Sequence, residues 1–234
     1  MTLLLGDAFP DFVAVTNEGT IQSFHQWIGE GNWAILFSHP HDFTPVCTTE
    51  LARAAQLYPE FSKRKVKMIA LSCDSAQSHR DWIPDICAFC KLMCDDSNKG
   101  CCSNDKLPFP IIADESRVLA KKLGMMDPVE KDSKGDSVTA RCVFVIGPEK
   151  TLKLSILYPA TTGRNFDEIL RIIDSLQLTA TKDVATPVDW KVGDSCVVSP
   201  SLSDEEAKAI FGPQIKTIEL PSRKRYLRMV PRPE

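Results

Sequence analysis

Cys47 is the residue of this chain best placed to act as a nucleophile. It closes the stretch Pro40-His41-Asp42-Phe43-Thr44-Pro45-Val46-Cys47, which follows the apolar run Trp33-Ala34-Ile35-Leu36-Phe37. The next residues, Thr48-Thr49-Glu50-Leu51-Ala52-Arg53-Ala54-Ala55, have helical character. Thr44 suits the N-cap and Pro45 the first helical position, where a missing N–H costs nothing. Cys47 then becomes the third helical residue, beside unpaired backbone N–H groups and the positive end of the helix dipole. Such a position favours the charged thiolate, which is the reactive form of the side chain. The competing reading is an inert core thiol, since free cysteine is among the most buried residue types.

The elements around this turn set its position. Trp33–Ser38 reads as a buried strand, and Leu51, Ala55, Tyr58 and Phe61 recur at helical spacing, with Glu50, Arg53, Glu60 and Lys63 among the polar positions. Val66–Ser72 is a second apolar strand, and Asp74 with Gln77 three residues on predicts a helix capped at Asp74. This strand–helix–strand–helix order implies a parallel central pair. Residues 142–146 and 152–158 read as an antiparallel hairpin around Gly147-Pro148-Glu149-Lys150, and residues 166–176 as an amphipathic helix. The result is an α/β protein, a mixed sheet with helices on both faces. After Leu178 the periodic signals weaken and prolines recur at 187, 200, 213 and 221. That change divides the chain into a main domain, 1–178, and a small C-terminal domain, 179–234.

Composition narrows the function classes. The 234 residues suffice for one core with a small appendage, and 43% hydrophobic with 25% charged residues describes an ordinary globule. A formal charge of −3 gives no support for nucleic-acid binding. The apolar runs are too short to span a bilayer. The opening residues lack a basic leader and a long apolar stretch, so the expected location is cytoplasmic. In that compartment the nine cysteines are expected to be reduced thiols, metal ligands or redox-active groups.

The spacing Pro-x-x-x-Thr-x-x-Cys resembles the signature of the peroxiredoxins. His39-Pro40, Lys106-Leu107-Pro108-Phe109-Pro110, Val138-Thr139-Ala140-Arg141, the run from Tyr158-Pro159-Ala160 through Arg164-Asn165-Phe166, and Ala185-Thr186-Pro187-Val188-Asp189-Trp190 are similar to the one-cysteine, peroxiredoxin-6 branch. The resemblance implies a thioredoxin fold and a thiol peroxidase acting on hydrogen peroxide and organic, including phospholipid, hydroperoxides. It implies that Cys47 becomes a sulfenic acid, with Thr44 and Arg141 holding the peroxide and Pro40 shielding the sulfur. For His39 it implies a hydrogen-bonding neighbour of the cysteine, against a structural histidine at a strand end. Arg141 could instead be a surface ion-pair partner. His41 reads as a pocket-rim residue, and Glu50 either as a support for the first helical turn or as a solvated residue. The only late cysteine, Cys196, is not in the usual resolving context, so the resemblance implies regeneration by an external thiol. Glutathione is the leading reductant, with a glutathione S-transferase as a partner that delivers it. A homodimer and the absence of a metal or organic cofactor are implied as well.

The chain departs from that family at about 86–105, where members carry a shorter loop. Cys87, Cys90, Cys94, Cys101 and Cys102 fall there. Three readings stay open: an insertion with free thiols, a disulfide or redox relay, and a zinc site, for which Cys87-x-x-Cys90 has ligand spacing but the rest matches no standard finger. Two rival function classes compete with this reading. A phospholipase A2 or lipid-surface activity, associated with the same branch, needs a serine where this chain reads Gly29-Glu30-Gly31-Asn32-Trp33-Ala34, and an asparagine cannot act as that nucleophile. His25 is then a structural residue. The basic run Arg223-Lys224-Arg225-Tyr226-Leu227-Arg228 reads as a solvated surface segment. The other rival is a redox-sensing, chaperone-like oligomer.

Overall fold

The computed structural model describes residues 3–93, 102 and 106–233. They fall into two compact units divided between Phe166 and Asp167, whereas composition marks its change twelve residues later. The first unit contains β1 (Ala14–Thr16), β2 (Gly19–Ile21), α1 (Phe24–Ile28), β3 (Trp33–Ser38), α2 (Pro45–Lys63), β4 (Val66–Ser72), α3 (Ala76–Leu92), β5 (Ile111–Ala113), α4 (Val118–Lys122), β6 (Met126–Lys131), β7 (Ser137–Thr139), β8 (Arg141–Ile146) and β9 (Leu152–Tyr158). α5 (Phe166–Thr181) starts at the division and runs five residues past its predicted end.

A seven-stranded sheet in the order β2-β1-β5-β4-β3-β8-β9 organises this unit. β3, β4 and β5 are parallel and connected through α2 and α3, as the sequence order requires. β3 is near the centre and every one of its residues is buried, which explains its unbroken apolar run. Alternate residues serve opposite faces. Ala34 and Leu36 join a core with Phe24 and Ile28 of α1 and Leu119 and Ala120 of α4. Ile35 and Phe37 are equally buried, and Phe37 meets Phe109 and Phe166 edge-on at 5.5 and 5.7 Å.

The antiparallel placement of β8 beside β3 positions the chemistry. Phe37 of β3 pairs with Val143 of β8, so the start of β8 lies at the end of the sheet where β3 finishes. Arg141 is the first residue of β8, and it pairs with Tyr158, the last residue of β9. Three segments therefore converge at one end of the sheet: the turn after β3, Arg141, and the chain after Tyr158. Such an end, at the carboxyl termini of parallel strands, is where ligands bind in open α/β sheets.

The helix after β4 is capped by Ser75, whose side chain accepts from Ser78 N–H, and not by Asp74. Asp74 is drawn away by Ser72, whose hydroxyl donates to it at 2.7 Å, and by the backbone N–H of Asp42 at 3.1 Å.

The second unit contains the rest of α5, then β10 (Val184–Ala185), β11 (Cys196–Val198), α6 (Asp204–Phe211), β12 (Lys216–Thr217) and β13 (Arg228–Val230). Its strands form a sheet in the order β10-β11-β13-β12 over a small core that includes Leu178, Trp190, Cys196 and Ala207. Arg228 is buried and donates to Asp204 and to the Ser199 and Leu202 carbonyls. Residues 223–226 of the basic run are exposed. Among the described residues no helix is long and apolar enough to cross a membrane.

Ser38 tests the stitching between β3 and β8. Its hydroxyl donates to the Ala140 carbonyl at 2.6 Å and accepts from Cys142 N–H at 3.1 Å, all buried. Ser38→Ala strands both backbone groups, so the urea midpoint should fall by an amount worth about 1–3 kcal/mol. An unchanged midpoint would show that the stitching contributes nothing.

Candidate active site

α2 begins as its sequence predicts, with Pro45 in the first turn and Thr44 at the N-cap in extended conformation, φ −115° and ψ 146°. Thr44 does not cap with its side chain. Its hydroxyl donates to the His41 carbonyl at 2.9 Å, within the turn itself. The preceding residue, Phe43, has φ 52°, a left-handed conformation that a bulky side chain rarely adopts and that costs on the order of 1–3 kcal/mol. Strain of that kind marks a turn whose shape is held by its surroundings.

Cys47 is fully buried in the first turn of α2. Arg141, also buried, reaches it with Nη1, which donates to Sγ at 3.4 Å. The same nitrogen donates to Glu50 Oε2 at 2.7 Å, while Nε and Nη2 both donate to the Ala160 carbonyl at 2.8 and 2.6 Å. Arg141 is therefore buried against the sulfur and is not a surface ion-pair partner. Glu50, one turn after Cys47, is no solvated helix residue either, since it is 3% exposed. It receives a second guanidinium: Arg164 donates to it through Nη2 at 2.7 Å, Nε at 2.9 Å and its backbone N–H at 2.7 Å. Arg164 Nη1 donates to the Cys142 carbonyl at 2.6 Å.

This cluster has two cations and one carboxylate, so one positive charge is left over beside the sulfur. Burial alone would push the Glu50 carboxyl up, but Arg164 and then Arg141 outweigh it and hold it below the usual range. Arg164 was not singled out from the sequence, although it lies within the Tyr158–Phe166 run.

On the other side of the turn, Asp42 is a buried hub. His39 Nε2 lies 3.0 Å from its Oδ1, and His79 Nδ1 and the Ser78 hydroxyl each lie 2.7 Å from its Oδ2. Burial pushes the Asp42 carboxyl up, yet the bonds from His39 and His79 more than offset it and hold it well below the ordinary range. Asp42 and His79 were also missed from sequence. Pro40 is buried at the start of this turn. His41 is half-buried, with Nδ1 3.7 Å from Asp74 Oδ1, and with Thr44, Cys73 and Arg117 it lines an open cleft of about 560 Å³.

Burial pushes Cys73 up to about 11 and Cys142 up to about 11, and raises Cys196 as well. In the insertion, Cys87 and Cys102 are buried and Cys90 is disulfide-bonded. The free-thiol and zinc readings thus lose Cys90, because a disulfide sulfur is not a thiolate ligand. Cys94 and Cys101 lie outside the described residues. The groups considered for lipid hydrolysis are used structurally: His25 Nε2 is 2.7 Å from the Phe9 carbonyl, and the Asn32 amide donates to the Ile28 carbonyl at 2.9 Å.

Glu50→Gln should leave two buried guanidinium groups facing a neutral amide. Removing one partner of a buried pair costs about 3–5 kcal/mol, to be read by denaturant unfolding at neutral pH. The folded Glu50 carboxyl titrates below its unfolded value. Its contribution is complete above the ordinary carboxylate range and disappears as pH falls through the folded value. The gap between wild type and variant should therefore narrow on acidification, and a pH-independent gap would contradict the network.

Comparisons with known proteins bear on the family and the fold. A family model described as the AhpC/TSA family matches residues 5–155, and one described as the C-terminal domain of 1-Cys peroxiredoxin matches residues 175–211. The chain is 71% identical over 232 residues to a 1-Cys peroxiredoxin of Dirofilaria immitis, covering 99% of this chain and 98% of that one. It is similar in structure to a cysteine-to-serine mutant of peroxiredoxin 6 from Arenicola marina, with a TM-score of 0.90, 53% identity and 99% of each chain covered. A yeast mitochondrial 1-Cys peroxiredoxin, whose thiol is resolved through glutathione/thioredoxin systems, matches with a TM-score of 0.83 and 42% identity, covering 98% of this chain and 99% of that one. The mixed sheet and its helices are accordingly a thioredoxin fold. With a buried cysteine at a helix start and an arginine on its sulfur, the chain belongs to the AhpC/TSA family, in the 1-Cys peroxiredoxin branch.

Proposed function

We propose that Cys47 is the sulfur through which this thiol peroxidase reduces hydrogen peroxide and organic hydroperoxides, phospholipid hydroperoxides included. The observation that carries the assignment is the Arg141 Nη1 contact to Cys47 Sγ at 3.4 Å, held from behind by Glu50 and the Ala160 carbonyl. The thiolate attacks the terminal oxygen of the hydroperoxide. The S–O bond forms as the O–O bond breaks, the sulfur loses two electrons, and an alkoxide or hydroxide leaves and is protonated. Negative charge develops on that departing oxygen, and a fixed guanidinium stabilises it without having to reorganise. The Thr44 hydroxyl donates its hydrogen bond to the His41 carbonyl, so its lone pairs remain to accept the hydroperoxide O–H. Buried Pro40 limits water at the sulfur, and His39 stands behind the turn as a hydrogen-bonding neighbour.

The sulfenic acid of Cys47 is resolved by an external thiol, with glutathione the leading candidate and a glutathione S-transferase its carrier. Two observations support this. Cys73 and Cys142, with thiols pushed up to about 11 by burial, are poor nucleophiles near neutrality. The similar yeast enzyme is resolved through glutathione/thioredoxin systems. The assembly we propose is a homodimer. β9 is the last strand of the seven-stranded sheet, and an edge of that kind invites a second copy. A cytosolic location suits an enzyme regenerated by small reduced thiols.

Stopped-flow mixing of the reduced protein with peroxide tests the assignment. Cys47→Ser should abolish the fast phase and leave the fold intact, and glutathione with a transferase should sustain turnover of the wild type. Rapid peroxide consumption by Cys47→Ser would overturn it.

A further inference from the structure

Asp42 joins two histidines that belong to different elements, and the hydrogen-bond inventory determines where their protons sit. The held-down carboxyl of Asp42 is an acceptor only. A ring nitrogen that faces it must carry a hydrogen. This applies to His39 Nε2, 3.0 Å from Oδ1, and to His79 Nδ1, 2.7 Å from Oδ2. The second nitrogen of His79 also faces an acceptor, the Ile112 carbonyl of β5 at 3.2 Å. His79, fully buried on α3, thus has an acceptor at each ring nitrogen. The Ser78 hydroxyl completes Oδ2.

The chain of bonds runs from the β5 carbonyl through His79 and Asp42 to His39, and there it stops. His39 Nδ1 is buried and without a hydrogen-bond partner, one of two such side-chain atoms among the described residues. With Nε2 donating to Asp42, a neutral His39 ring presents its lone pair at Nδ1. Its backbone is equally fixed: His39 N–H donates to the Leu71 carbonyl at 3.0 Å, and the Thr139 hydroxyl donates to the His39 carbonyl at 2.6 Å. Trp82 connects this histidine with the cysteine's helix. Its ring lies 5.2 Å from that of His39, and its Nε1 donates to the Thr48 hydroxyl, one residue after Cys47, at 3.2 Å. A buried polar atom left open in an otherwise satisfied network is a site awaiting a donor. The O–H groups that this reaction brings in are those of the hydroperoxide and of the sulfenic acid.

We propose that His79 is a positioning residue of the peroxidase site, acting through Asp42 to hold His39 as the Nε2–H tautomer with its Nδ1 lone pair free to accept an O–H. His79 touches no reacting atom. Its effect reaches the chemistry through the proton arrangement of His39 and through the turn that Asp42 anchors, which carries Pro40 and Thr44. The inference rests on the assignment of Cys47 as the reacting sulfur.

The chain has four histidines, so nitrogen-detected NMR of the reduced protein can resolve each ring. His39 should show the Nε2–H tautomer in the wild type; an Nδ1–H tautomer or a doubly protonated ring there would overturn the proposal. His79→Leu removes the donor to Asp42, and should mix the His39 tautomers and slow the peroxide reaction by roughly 10- to 100-fold. His79→Asn retains an N–H toward Asp42 and should keep the wild-type His39 pattern with most of the rate. Folded His79→Leu with wild-type rate and unaltered His39 signals would also overturn it. Should His79→Leu fail to fold, the wild-type spectrum and His79→Asn decide. The Cys47 assignment fails separately, through peroxide consumption by Cys47→Ser.

Discussion

A single buried carboxylate, Glu50, holds two guanidinium groups together at the end of the sheet. Four N–H groups converge on it, three from Arg164 and one from Arg141. Two like charges so close would repel one another in a medium that screens them poorly, and a buried ion is tolerable only when its hydrogen-bonding capacity is filled. Glu50 meets both conditions. The charge that remains is presented by Arg141 to the sulfur of Cys47. Because Arg141 is also tied to the Ala160 carbonyl by two nitrogens, it is oriented before any substrate arrives. That preorganisation is what makes a fixed donor effective when charge develops on a leaving oxygen.

Strand direction brings these groups together. β3 delivers the turn from His39 to Thr44, and the antiparallel β8 starts at the same end with Arg141. β9 finishes opposite Arg141 and releases the chain toward Ala160 and Arg164. Glu50 and Cys47 then come from one turn of α2. The strained Phe43 backbone just before that helix is held from the other side by Asp42, so the turn is clamped between two polar networks. One is centred on Glu50 and the other on Asp42. Each contains a carboxylate whose burial is outweighed by its partners.

Much of this was legible in the sequence where local signals and burial agree. The unbroken apolar run of Trp33–Ser38 announced a central strand, and Pro45 after Thr44 announced a helix start. Local pattern failed where a polar side chain was claimed by a partner that the pattern does not show. Asp74 is well spaced for a cap, but Ser72 and the Asp42 amide compete for it, and Ser75 takes the role. Thr44 occupies the cap position while its hydroxyl turns back to His41. Glu50 sits at a polar helical position and reads as solvated until Arg141 and Arg164, more than ninety residues on, are brought to it. Arg164, Asp42 and His79 carry no signature of their own, because the contacts Arg164–Glu50 and Asp42–His79 join residues far apart in sequence. Family resemblance supplied Arg141 where spacing could not.

The most direct measurement is the second-order rate constant of the reduced protein with hydrogen peroxide when Arg141 is replaced by lysine. Lysine keeps the charge but cannot donate at once to Cys47, Glu50 and Ala160 from a planar fork. If the oriented guanidinium stabilises the departing oxygen, the rate should fall by roughly 100- to 1,000-fold, with the fold preserved. A folded Arg141→Lys protein that reacts as fast as the wild type would contradict that role.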